Sequence, residues 1–300
     1  MNARIKRVRH ALEYAGVRLA LRLASLLPLR AACAVGAAIG WLAYVVFGVR
    51  RRVSTENVQR ALGETPSSGT PSSIARRSYA NLGRSLMEYS AFARLSHEEI
   101  RALAPIEGLE HFDHALEKGK GAILFTGHFG NWELMGASAV AHGYPINFLV
   151  GEQSNHRVDD LMNELRRKQG IGIISRHVAL KKVLRALKDN QMVALLADQD
   201  ARKAGVFVDF LGAPASTARG PAMFAIKQGC PIISGFIHRT PAGSHVGTLY
   251  PPLYADASLE GEDAVRDLTQ RFTDQLADAI RGWPAEYFWA HRRWKTKPPA

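Results

Sequence analysis

Cysteine is scarce: Cys33 and Cys230 are the two in 300 residues. They are too few for a disulfide framework or a four-cysteine metal site, which points to a reducing compartment. The chain also has no G-x-S-x-G nucleophile elbow and no H-E-x-x-H, so it carries neither the elbow serine of a hydrolase nor the helix motif of a zinc protease. Acids are missing from one end, where residues 1–60 hold eleven Lys or Arg against Glu13 and Glu56. The last ten residues add Arg292, Arg293, Lys295 and Lys297, while 61–290 carry 24 bases and 25 acids. The formal charge of +12 is therefore a property of the ends. The near-neutral body lacks the broad positive face that phosphate-backbone binding needs, which argues against nucleic acid as a partner.

Residues 31–49, AACAVGAAIGWLAYVVFGV, carry no charge and are closed by Arg50, Arg51 and Arg52. As a helix this run would measure about 28 Å, close to a bilayer core, so a transmembrane or membrane-embedded anchor helix is expected, with a buried core helix or an interfacial segment as the alternative. Upstream, Arg4, Arg7, Arg18, Arg22 and Arg30 alternate with Leu12, Leu19, Leu23 and Leu26, as in a basic amphipathic helix on anionic lipid. Positions 1–60 thus form an anchor segment and 61–300 a catalytic domain. The segment 63–73, GETPSSGTPSS, reads as a surface loop.

Beyond it, short apolar runs alternate with helical periodicity. Strands are expected at 121–127, 146–151, 170–175, 192–198, 230–239 and 245–253. Helices are expected at 74–94, 131–142, 156–169, 178–189, 217–229 and 262–281. This is an α/β chain with a mainly parallel central sheet flanked by helices. Val206, Val208 and Phe210 would share one face of a further strand, either as core or as the wall of a ligand groove.

The segment Gly127-His128-Phe129-Gly130-Asn131-Trp132-Glu133 falls where a strand ends and a helix begins, the usual ligand side of a parallel sheet. His128 and Glu133 are too far apart for one helix face, so pairing them requires a turn, which Gly130 allows. A carboxylate on one imidazole nitrogen would leave the other as a general base. With no protein nucleophile in view, that base would activate a hydroxyl of the substrate.

HFGNWE is an H-x4-D/E motif. Together with 107–134, with 197–232 (beginning ADQDARKAGVFVDFLG) and with EYFWAHRRWKTKP at 286–298, it resembles the late acyltransferases of lipid A biosynthesis and their glycolipid-acylating relatives over almost the whole chain. The resemblance implies an enzyme on the cytoplasmic side of the cell inner membrane, in contact with its lipids. It would move a fatty acyl chain from acyl carrier protein to a hydroxyl of a lipid A precursor of the Kdo-lipid IVA type, with no cofactor or metal. It makes His128 the base and Glu133 its orienting acid. It places the family's arginine at Arg166, with Arg167 as the alternative, and its second acid at Asp198, with Asp200 as the alternative.

Arg166 would hold a headgroup phosphate or support the oxyanion, and Asp198 would face the same crevice. Gly130 and Asn131 are candidates for oxyanion support, and the bases and tryptophans of the tail for headgroup contact. Another glycolipid acceptor, acyl-CoA as donor, or a catalytically silent membrane scaffold remain the alternatives.

Overall fold

A computed structural model describes residues 3–63, 69–91 and 94–299; five positions of the expected 63–73 loop lie outside them. The strands are β1 (Ile106–Glu107), β2 (Ala122–Thr126), β3 (Ile146–Val150), β4 (Gly172–Ser175), β5 (Met192–Leu196), β6 (Val206–Phe210), β7 (Ala213–Thr217), β8 (Ile232–Arg239) and β9 (His245–Leu249). Among the described residues, seven of them form one sheet in the order β1-β9-β8-β2-β5-β3-β4, parallel except where β9 returns antiparallel to β8. β6 and β7 make a separate antiparallel hairpin.

The helices are α1 (Ala3–Leu26), α2 (Leu29–Val45), α3 (Arg51–Leu62), α4 (Pro71–Tyr89), α5 (His97–Leu103), α6 (Glu110–Leu116), α7 (Trp132–Ala141), α8 (His156–Lys168), α9 (Ala179–Lys188), α10 (Gly220–Gln228) and α11 (Gly261–Gly282). The central strands are apolar at nearly every position because both faces of the sheet are covered. Ile123 and Phe125 of β2, Val193 and Leu195 of β5, and Ile232 and Phe236 of β8 enter one core with α9, α10 and α11. The intervening Leu124, Ala194, Ile233 and Ile237 enter the other with α5, α6, α7 and α8. This two-residue alternation is what a pleated strand imposes.

The N-terminal helices depart from expectation. No helix among the described residues is long and apolar enough to cross a membrane. The uncharged run is interrupted after Val45 by a turn with positive φ at Gly48 and Arg50, which starts α3. Helix α2 is two-sided. Ala32, Gly36, Gly40 and Tyr44, spaced by four, are buried. A Cβ on Gly36 or Gly40 would meet the carbonyl of Gly83 or Tyr79, so α2 and α4 touch backbone to backbone. On its other side Val35, Ile39, Trp41 and Leu42 are exposed.

The tail also differs from its expected place among lipid headgroups. Trp289, Trp294 and Arg293 are buried. Arg293 donates to Ser216 O and Thr217 Oγ1 and stands over the Phe210 ring, which stacks on Trp294. Val206, Val208 and Phe210 are likewise buried core. Asn57 of α3 donates to the carbonyls of Trp289 and His291, and Ser78 of α4 to that of Tyr287. The tail is thus a strap between the N-terminal helices and the sheet, and its aromatic residues serve packing.

Candidate active site

Strands β2 and β5 are neighbours in register from Ala122↔Met192 to Thr126↔Leu196, so the loops that leave their C-terminal ends emerge side by side. One carries His128 and the other Asp198, 70 positions apart in sequence. His128 Nδ1 lies 2.8 Å from Asp198 Oδ1, and the His128 backbone N–H donates to Asp198 Oδ2 at 3.0 Å. One carboxylate therefore holds both the ring and its main chain. The Asp198 side chain is 2% exposed and the His128 ring 24%: the acid is sealed and the base is open on one side.

Trp132 and Phe288 border the imidazole, with ring centroids 5.0 and 6.2 Å away. Gln199 Nε2 lies 3.4 Å from His128 Nε2. The loop is braced from the strap, since Phe288 N–H donates to His128 O and Gly130 N–H to Glu286 O.

Burial alone would lower the His128 pKa, but the charge and hydrogen bond of Asp198, with a further contribution from Glu133, outweigh it and hold the imidazole above its ordinary value. Burial pushes Asp198 up, and the His128 charge with its ring and backbone donors pulls it below the ordinary carboxylate range. A neutral His128 with its proton on Nδ1 would present Nε2 as an acceptor, the arrangement of an oriented general base.

Glu133 does not hold the imidazole, contrary to the expected His128–Glu133 pairing. It lies in the first turn of α7, and its carboxylate accepts from Arg166 Nε at 2.9 Å and Nη2 at 2.5 Å. The two-pronged match of guanidinium and carboxylate is the reason: Arg166 on α8 offers a planar fork that a single imidazole cannot equal. Nη1 of Arg166 donates to Asn163. Burial works against the Arg166 charge, and Glu133 more than restores it. Of the alternatives, Arg167 is exposed. The Asp200 backbone N–H donates to His291 Nε2, and its carboxylate accepts from Thr296, which ties it to the strap.

Gly130 and Asn131 turn out to be engaged in holding the loop. Gly130 adopts φ +58 and would meet Ile237 O with any Cβ, and its amide is taken by Glu286. Asn131 caps α7, accepting from Leu134 N–H at 3.1 Å, and donates to Glu88. Neither is directed at a substrate oxyanion. Glu88, 2% exposed, is the centre of a second network absent from the sequence reading: it pairs with Arg239, lies 3.4 Å from His245 Nε2 and accepts from Asn131. Gln199 was missed as well, although its place directly after a strand-ending acid could have marked it.

The comparisons agree with the geometry. A family model described as "Bacterial lipid A biosynthesis acyltransferase" matches residues 2–296. A phosphatidylinositol mannoside acyltransferase of Mycolicibacterium smegmatis is 26% identical over 87% of this chain and 90% of its own length. The lipid A biosynthesis palmitoleoyltransferase of Escherichia coli is 22% identical over 91% of this chain and 87% of its own. The lauroyltransferase of the same organism is 24% identical over 88% and 85%. With a family match that runs nearly end to end and a histidine–carboxylate pair at the mouth of a parallel sheet, the chain belongs to the bacterial lipid A biosynthesis acyltransferase family and is an acyltransferase.

Proposed function

We propose that the protein transfers a fatty acyl chain from the thioester of acyl carrier protein to a hydroxyl of a lipid A precursor. His128 Nε2 takes the proton of the acceptor hydroxyl as its oxygen attacks the thioester carbonyl. Asp198 keeps the ring in the required tautomer and stabilises the imidazolium that forms. The tetrahedral intermediate then collapses, the C–S bond breaks, and His128 returns the proton to the departing carrier thiolate. No acyl-enzyme is formed. Arg166, oriented by Glu133 and Asn163, supports the negative charge of the oxyanion or of a headgroup phosphate. The observation that carries this reading is the His128–Asp198 contact, with the acid sealed and the ring open.

Residues 1–60 serve as the membrane anchor in this reading, on the cytoplasmic face of the inner membrane. The support is a run of exposed apolar side chains along α1 (Ile5, Val8, Leu12, Leu19, Leu23) continued on α2 by Val35, Ile39 and Trp41. Such a surface suits a helix pair lying in the interface. A Val35→Glu/Ile39→Glu variant that sediments with anionic vesicles as well as wild type does would remove that assignment.

The test of the reaction is mass spectrometry of the lipid product after incubation with acyl carrier protein thioesters and a Kdo-lipid IVA acceptor. A gain of one acyl chain with wild type and none with His128→Ala is expected; no gain across a range of acyl lengths refutes the lipid A acceptor. A second acceptor class, a phosphatidylinositol mannoside, belongs in the same assay because relatives of that name match this chain over most of its length. Acyl-CoA in place of the carrier thioester tests the donor.

A further inference from the structure

The body of the chain is near neutral overall, but its cations are not evenly spread. Helix α9 buries Val183, Ala186 and Leu187 against the sheet and exposes Lys181, Lys182, Arg185 and Lys188. Lys181, Arg185 and Lys188 stand at i, i+4 and i+7, one stripe along the helix, with Lys182 beside it. Arg176, in the 3-10 turn that leads into α9, is exposed as well. Asp189 approaches Arg185 at 3.7 Å with both side chains exposed, a contact of little weight in water. The first turn of α9 has no acid, and Lys181 and Lys182 sit near the helix end where the backbone dipole already places positive charge. Local helix stability therefore disfavours Lys181 and Lys182, whereas Arg185 and Lys188 lie in the last turn, where the dipole favours them.

Two apolar side chains accompany them. Leu180 is 57% exposed, and so is half of Met223 on α10, the helix that packs beside α9. Leu180 continues the buried face of Val183 and Leu187, spaced i, i+3, i+7, but overhangs the sheet. Helix α9 follows β4 and α10 precedes β8, so both helices run back along the strands and begin at the strand ends where His128 and Asp198 lie. Strand β4 is two strands from β5, a separation of about 10 Å. Exposed apolar side chains on two adjoining helices that start at the site's end of the sheet, one of them lined with cations, form a surface for an acidic partner.

We propose that α9, with Leu180 and Met223, is the docking surface for an acidic helical carrier protein, whose acyl thioester then reaches His128 on a flexible arm. This rests on the carrier-protein donor proposed above. It places the steering charge on one helix of a body that is near neutral overall. A bilayer is the less suitable occupant. α9 lies on the sheet face opposite α8, against which α1 rests, and together α9 and α10 show two large exposed apolar side chains where α1 shows a long run of them.

The test is steady-state transfer by the full chain, comparing wild type with Lys181→Glu/Lys182→Glu/Arg185→Glu, using acyl carrier protein and acyl-pantetheine as parallel donors. The expected result is a KM for the carrier raised about tenfold or more, in a salt-dependent way, with kcat at saturation and transfer from acyl-pantetheine unchanged. An unchanged carrier KM overturns the proposal, as does an equal loss with both donors. Lost sedimentation with anionic vesicles at an unchanged carrier KM assigns the surface to the membrane and also overturns it. If wild type accepts acyl-pantetheine or acyl-CoA but not the carrier thioester, the donor reading itself fails and the docking surface with it. Should the triple variant not fold by circular dichroism, Leu180→Glu alone is carried through the same comparison.

Discussion

Two carboxylates flank the loop that carries His128, and they are used in opposite ways. Asp198 sits under the imidazole and leaves the far nitrogen facing an opening. Glu88 is enclosed by Arg239, His245 and Asn131. Burial pushes the Glu88 pKa up, but hydrogen bonds and charge from His245 and Arg239 bring it down to about 2. Both acids are buried and ionised. The imidazole beside Asp198 is open on one side, whereas Glu88 is held by an arginine that keeps its proton and by His245, whose side chain is 1% exposed. One network is therefore suited to chemistry and the other to holding the loop through Asn131, the cap of α7.

The largest effect that would sharpen this contrast is expected from His128→Ala: a loss of transfer of about 10²–10⁴-fold with an unchanged melting temperature. Asp198→Asn keeps the shape but removes the charge, and a loss of about 10²-fold in kcat is expected. Its pH profile is the more telling readout. The raised His128 pKa means that the wild-type rate climbs with pH through a value above 6.5, because only the neutral ring accepts a proton. In Asp198→Asn that limb should move to lower pH, and a limb that stays in place would break the assigned pairing.

Glu88→Gln is expected to act on folding, lowering stability by about 3 kcal/mol, because Arg239 is left buried without its carboxylate. The sign of its pH dependence follows from the depressed pKa. The contribution of Glu88 is fully present above its unfolded value of 4.5 and is lost as pH falls from there toward 2. Acid titration followed by circular dichroism should show wild type losing its advantage over Glu88→Gln in that window. If Glu88→Gln instead lowered kcat in a stable protein, the two networks would not be separable as drawn. The smallest effect is expected from Glu133→Gln, about tenfold in kcat, because Arg166 keeps its bond to Asn163 while losing its charged partner.

Much of this site could be read along the chain. The apolar run 121–127 ends in glycine at His128, and the run 192–198 ends in Asp198, so both residues were expected at strand ends facing one crevice. Their pairing was not legible. It depends on β2 and β5 being neighbours, and nothing local in either strand says which strand lies beside it. Glu133 looked like the partner because it is near in sequence, yet the start of α7 directs it to the guanidinium of α8. Of the two arginines offered by the sequence, Arg166 turns inward to Glu133 and Arg167 faces solvent. Strand β1, of two residues, and the short helices α5 and α6 were not anticipated. Segments of that length hold too few positions to show a period.

The N-terminal run and the tail show the same division. Hydropathy marked 31–49 as apolar and 286–298 as aromatic and basic, and both descriptions stand. Hydropathy measures transfer out of water and does not say into what. The structure sends Gly36 and Gly40 against α4, leaves Ile39 and Trp41 facing outward, and takes Trp289, Trp294 and Arg293 into the core. Element type, the class of fold and the chemistry at the strand ends follow from local periodicity and side-chain type, which are properties of neighbours in the chain. Which acid serves which base, which face of an apolar helix is covered, and where a neutral body gathers its positive charge depend on contacts between residues tens to hundreds of positions apart. Those contacts are set by strand order and packing.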